Sequence, residues 1–132
     1  MDPRPLSDDE LVYCRIPPTE PWFEPPDRIS TANFKLDHRR ADLGISVYRA
    51  AVVTAEQVRA KPEAILGSLI TQATVAEIRA LKNGKGDPLQ LVVVAVDDEF
   101  DPGHAEIRGS EPGKLSPAAS KALRDVFKLV SI

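Results

Sequence analysis

Few residues in this chain have the type and setting to do chemistry, and they lie far apart. Arg15 stands in an apolar stretch, Ser30 and Ser46 flank or enter others, and His104 follows an acidic turn. A guanidinium can hold a phosphate, a hydroxyl can bond a ribose, and an imidazole can take or give a proton. Arg15, Ser30 and His104 are therefore the candidate catalytic residues of a nucleotide-handling site. Each also has an ordinary structural use: an arginine at a strand end reaches water or a carboxylate, and a single histidine serves packing and hydrogen bonding. A second group, Asp97, Asp98 and Asp101 with Glu99 between them, offers oxygen ligands for Mg²⁺ or Ca²⁺. That loop lacks the glycine and closing glutamate of an EF-hand, so a solvated acidic turn is the expectation. Trp22-Phe23, the one tryptophan beside a phenylalanine, is the candidate binding element, either a lid on the core or an exposed anchor for another protein.

Several chemistries are absent from the sequence. One cysteine, Cys14, and two distant histidines, His38 and His104, provide no short-spaced ligand pair for zinc. Cys14 sits inside an apolar run and reads as a small buried hydrophobe rather than a nucleophile. Asn83-Gly84-Lys85-Gly86 has the composition of a phosphate loop but no Gly-Lys-Ser/Thr ending, and it reads as the stop after a helix. Gly-x-Ser-x-Gly, His-Glu-x-x-His and Gly-x-Gly-x-x-Gly do not occur. No cofactor is called for.

These residues must be positioned by a fold whose elements the sequence marks unevenly. Seven of the twelve prolines fall within the first 26 residues, which makes residues 17–28 an extended loop, because proline lacks the amide donor and fixes φ. Residues 1–9 read as a flexible lead-in. Glu10 to Ile16 is rich in β-formers and reads as the first strand, ending at Ile16-Pro17. Ile29 to Phe34 is a short strand or irregular, and Leu43 to Arg49 alternates well enough for a second strand.

Thr54 caps a short helix over residues 55–59, stopped by Lys61-Pro62, and Ile65 to Gln72 fits another strand. Thr74-Val75-Ala76-Glu77 matches a capping box and predicts a helix over 75–82. Leu89 to Val96 is apolar on both faces from Leu91 onward, which predicts a central strand covered on both sides. His104 to Arg108 is its expected partner. Ser116, Pro117 and the apolar residues Leu123, Val126, Phe127 and Val130 predict a C-terminal helix over 117–130, docked on the sheet. The fold class is α+β: a small mixed sheet with a buried central strand and a terminal helix upon it.

With 132 residues, 42% hydrophobic and 28% charged, the chain has the size and composition of one globular domain. A formal charge of -3 disfavours partners bound by neutralising phosphates, and the local cluster His38-Arg39-Arg40 is broken up by Asp37 and Asp42. A membrane-crossing segment is absent, the N-terminal residues are acidic rather than apolar, and one thiol suits a reducing compartment, so a cytoplasmic protein is the expectation.

Leu11 to Pro17, Ser30 to Phe34, Ile45 to Val47 and Asp101 to Ala105 together resemble a group of small uncharacterised bacterial proteins. The resemblance implies a bacterial source and a compact α/β-type domain, and assigns no residue a role. A looser likeness is to ADP-ribosyltransferase-like folds, which would make Arg15 and Ser30 the residues lining a nicotinamide pocket; Glu106 is the sole candidate for that family's late glutamate. The leading expectation is a module that contacts a protein partner, one encoded beside it, through Trp22 and Phe23. An NAD- or nucleotide-binding enzyme is the alternative.

Overall fold

The computed structural model describes residues 4–25, 28–36, 44–61, 67–97, 99–111 and 113–131. The basic cluster His38-Arg39-Arg40, Pro26, Leu43, the stop at Pro62, the strand start at Ile65 and Leu66, and Asp98 all lie outside those residues. Nine strands are described: β1 (Arg4–Pro5), β2 (Leu11–Ile16), β3 (Phe23–Glu24), β4 (Arg28–Ile29), β5 (Ile45–Arg49), β6 (Leu69–Thr74), β7 (Val92–Ala95), β8 (His104–Arg108) and β9 (Lys128–Leu129). Three helices, α1 (Ala55–Arg59), α2 (Val75–Arg79) and α3 (Pro117–Val126), and a 3₁₀ turn at Thr31–Phe34 accompany them.

Seven strands form one sheet in the order β1-β7-β8-β5-β2-β6-β9, and β3 pairs with β4 in a separate small hairpin. The class is α+β, with a C-terminal helix. Every pairing is antiparallel, where the sequence suggested a mixed sheet. No described pair is joined in the parallel sense by a strand-helix-strand crossover, the unit that a parallel ladder requires.

Alternation along the strands divides the sheet's two faces. Val12, Cys14 and Ile16 of β2, Ile45 and Val47 of β5, Ala105 and Ile107 of β8, and Val93 and Ala95 of β7 belong to one apolar cluster. Val75 and Ile78 of α2, with Ala119, Leu123 and Phe127 of the α3 region, cover that face. Phe127 stacks on Phe34 with centroids 5.3 Å apart, and the buried Ser120 hydroxyl donates to the Phe34 carbonyl at 2.8 Å. The 3₁₀ turn is thereby held between helix and sheet. The opposite face carries a smaller cluster, Tyr48, Ala55, Val58 and Ile70, in which α1 covers β2 and β6.

Four local departures from the sequence reading have physical causes. The strand expected from Leu89 begins at Val92, because Gln90 takes φ 57 and the Leu89 amide donates to Leu81. It is interior, hydrogen-bonded to β1 and β8, but Val92 is 40% exposed and only Val93, Val94 and Ala95 of the four are buried. Secondly, α2 closes at Arg79 rather than 82, since Asn83 Oδ1 accepts the Lys85 and Asp87 amides in a tight turn. Thirdly, α3 ends at Val126 rather than 130: Phe127 is extended at ψ 128, and Lys128 and Leu129 pair with Gln72 and Thr71 along the β6 edge. Lastly, the expected flexible lead-in supplies β1, where Arg4 and Pro5 pair with Ala95 and Val94 and Leu6 is buried.

Both capping boxes are complete: Thr74 with Glu77, and Thr54 with Gln57. Val93, 1% exposed on the covered face, and its neighbour Val92 on the open face make a test of this sidedness. Val93→Asp strands a carboxylate among apolar groups and is expected to cost about 3 kcal/mol or more. Val92→Asp is expected to stay within about 0.5–1 kcal/mol of the parent. Urea unfolding of the two variants checks this, and equal losses would refute the assignment of faces.

Candidate functional site

The open part of the second face, across β5 and β8, gathers the polar side chains. β5 and β8 pair with Ser46 opposite Glu106 and Tyr48 opposite His104. Ser46, Tyr48, His104, Glu106 and Arg108 therefore project to one side, while Ile45, Val47, Ala105 and Ile107 fill the core. Ser46 and His104 are diagonal neighbours, a separation that long side chains can bridge. Here the Ser46 hydroxyl lies 3.0 Å from His104 Nε2.

The Ser46 hydroxyl, the Tyr48 ring and Asp101 are set against the imidazole. Its ring tilts against Tyr48 at 36°, with centroids 5.5 Å apart. Asp101 Oδ2 stands 3.6 Å from Nδ1, an ion-pair separation longer than a hydrogen bond. Asp101 is itself held by Lys61, 2.7 Å away, and by the Tyr48 hydroxyl at 3.3 Å. Lys61 Nζ also sits 4.7 Å from the Tyr48 ring centroid. In the tautomer that carries its proton on Nδ1, the side of Asp101, Nε2 is the acceptor for the Ser46 hydroxyl.

The approach to His104 depends on Gly103, whose φ is +80 and whose amide donates to Asp97 Oδ2 at 3.2 Å. A side chain would be strained at this φ, and its Cβ would fall 3.2 Å from Val52, which would have to shift by a few tenths of an ångström. The Arg49 amide closes the same turn by donating to the Gly103 carbonyl at 2.8 Å.

The sequence-derived trio is not brought together. Arg15 projects to the same face as His104, where its guanidinium donates to the Val58 carbonyl of α1 at 3.2 Å. Ser30 caps the 3₁₀ turn, its hydroxyl accepting from the Ala32 amide at 3.1 Å, and its neighbours Ile29 and Phe34 pack into the cluster on the other face. Glu106 accepts from Arg108 at 2.7 Å. Of the metal candidates, Asp97 lies near Arg4 at 3.5 Å and Asp101 is bound to Lys61; no cluster of three or more metal-binding side chains occurs among the described residues.

The aromatic pair divides. Phe23 is buried at 7% and Trp22 is 36% exposed. Sequence reasoning named Ser46 and His104 separately but missed Tyr48 and Lys61 as partners. The readable signal was the two-residue spacing of Ser46 and Tyr48, which places them on one face of a strand. No family model, curated protein or solved structure matches this chain.

Cys14 is fully buried in β2, and desolvation pushes its thiol up to about 12 despite the opposing influence of Arg15. The native protein is expected to resist a thiol reagent at neutral pH and to react with one equivalent in denaturant, as a thiol titration would show. Rapid native labelling would contradict the burial. Below the unfolded thiol's value both states hold the proton; above it the unfolded chain releases the proton first, so this group makes stability fall as pH rises above about 9.

Proposed function

We propose that the chain is a protein-interaction module whose anchor is Trp22. The observation that carries this reading is a large aromatic side chain left 36% exposed on a backbone whose amide and carbonyl are both hydrogen-bonded. The Trp22 amide donates to Thr19, while its carbonyl accepts from the Ser30 amide at 3.1 Å and from Asn33 Nδ2 at 2.8 Å. Phe23 beside it is buried and pins the β3–β4 hairpin to the core. An anchor ordered before binding loses little entropy on docking, and tryptophan is the residue most enriched among those that dominate interface energies.

Residues flanking Trp22 line a cleft of about 350 Å³, in which Pro21, Phe23 and Ile29 are joined by Arg28 and by Arg124 from α3. A partner that covers Trp22 would meet a mixed surface next to it, in which Arg28 is paired with Glu24 and Arg124 with Asp125. The nucleotide-pocket alternative draws no support from the placement of Arg15 and Ser30 on opposite faces of the sheet.

Replacing Trp22 and Phe23 one at a time separates binding from stability. Trp22→Ala is expected to retain the parent's melting temperature and to weaken a partner, captured by crosslinking in host extract and then purified, by about 30-fold or more in titration calorimetry. Phe23→Ala is expected to lower stability by about 3 kcal/mol or more. A partner that bound Trp22→Ala as tightly as the parent would overturn this reading.

A further inference from the structure

We propose that Ser46 is a nucleophile activated by His104, able to accept an acyl group from an activated ester or thioester donor. The proposal is independent of the Trp22 reading and rests on a different face of the sheet. The geometry points to it because three conditions for an activated hydroxyl meet at one place. Ser46 Oγ lies 3.0 Å from His104 Nε2, within reach for direct proton transfer. Nδ1 faces Asp101 at 3.6 Å, a carboxylate already paired with Lys61 at 2.7 Å, so it serves to orient the ring more than to offset the charge formed when the ring takes the proton. The ring is braced by Tyr48 and, through Asp101, by Lys61. Ser46 is also exposed, so a donor can reach it without rearrangement of the fold.

The step balances without any further reagent. Oγ attacks the donor's carbonyl carbon as its proton passes to Nε2, forming the new C–O bond. The C–O or C–S bond to the leaving group then breaks, and the imidazolium returns its proton to the departing alkoxide or thiolate. The products are acyl-Ser46 and a free alcohol or thiol, with His104 neutral again. Water attacking the acyl group, deprotonated by the same nitrogen, would regenerate the hydroxyl.

The fold also sets the expected kinetics. Ser46 pairs with Glu106 of β8, whereas the pairing of β5 with β2 reaches only Tyr48 and Arg49, so its hydroxyl stands on an extended strand rather than at a sharp turn that gathers backbone donors for an oxyanion. No described cleft includes Ser46 or His104 among its lining residues. Acylation is therefore expected as a single event per chain followed by slow deacylation, a modification site rather than a rapid hydrolase. The neighbouring Glu106 is neutralised by Arg108 at 2.7 Å, so the nucleophile does not face an uncompensated carboxylate.

The test uses the whole chain with a fluorophosphonate probe and with p-nitrophenyl acetate, mapping adducts by peptide mass spectrometry. One equivalent of adduct on Ser46 is expected, with a p-nitrophenolate burst of the same size. Ser46→Ala should abolish both, and His104→Ala should slow labelling by about 10²-fold or more. Should His104→Ala lower the melting temperature, His104→Gln at an unchanged melting temperature makes the same comparison. A parent protein unlabelled at Ser46, or a labelling rate unchanged by loss of the imidazole, would overturn the proposal. Either result leaves the Trp22 reading untouched, since Trp22→Ala should label at Ser46 like the parent.

Discussion

The register between β5 and β8 is the constraint on which both core and surface depend. Placing Ser46 opposite Glu106 and Tyr48 opposite His104 sends Ile45, Val47, Ala105 and Ile107 into the main apolar cluster. A slip of β8 by one residue would turn Ala105 and Ile107 toward water and drive His104, Glu106 and Arg108 into a packed interior, where charges without full compensation are expensive. The polar constellation is thus a consequence of a register that burial already demands. Gly44, just before β5, helps set it: a Cβ there would lie 2.5 Å from the Ile107 carbonyl, so any side chain would force the two strands apart at that point.

The sheet is covered unequally, and this explains where polar side chains collect. On the main face α2, α3 and the 3₁₀ turn lie over the strands, and the Phe34–Phe127 stack with the Ser120 hydrogen bond joins turn to helix. On the other face α1 has only five residues and covers only part, with Val58 beside Ile70 and Tyr48. Arg15 helps attach it by donating to the Val58 carbonyl. The remainder, across β8 and β7, is left to Ser46, His104, Glu106, Arg108 and the exposed Val92. The edge strands are β1, paired with β7, and β9, paired with β6, and at two residues each they offer a foreign strand only a short template.

The fold was legible where local chemistry decides and illegible where distant residues decide. The α+β class, the β2 strand, the Thr74 capping box and the Ser116-Pro117 helix start all follow from residues within a few positions of one another. The early end of α3 does not, because Lys128 and Leu129 leave the helical path to satisfy β6, some sixty residues away in sequence. Val92 was read as core from its β-branched neighbours, yet its exposure depends on how little of the second face α1 covers. The same division holds for the candidate site. Alternation alone could have put Ser46 and Tyr48 on one face, but their meeting with His104 required the β5–β8 register, and Lys61 reached Asp101 only through the fold. Arg15 and Ser30 were grouped by side-chain chemistry alone, and the sheet runs between them.

Two surfaces of different character therefore coexist. The Trp22 hairpin is pinned to the main core through Phe23 and Ile29, whereas Ser46 and His104 belong to the other face, with β5 and β8 between that face and the apolar cluster. The buried strands lie between the two: the hydrogen bonds described for Trp22 and Asn33 run to Thr19, Ser30 and each other, and Ser46 meets His104 on the far side. Sites without shared partners contribute nearly independently to free energy. Coupling between them would require a displacement of β5 or β8, and their register is held by the same apolar residues that hold the fold. A partner seated on Trp22 can therefore bring a donor near the molecule, but it cannot switch the Ser46 hydroxyl on or off without first disturbing the core.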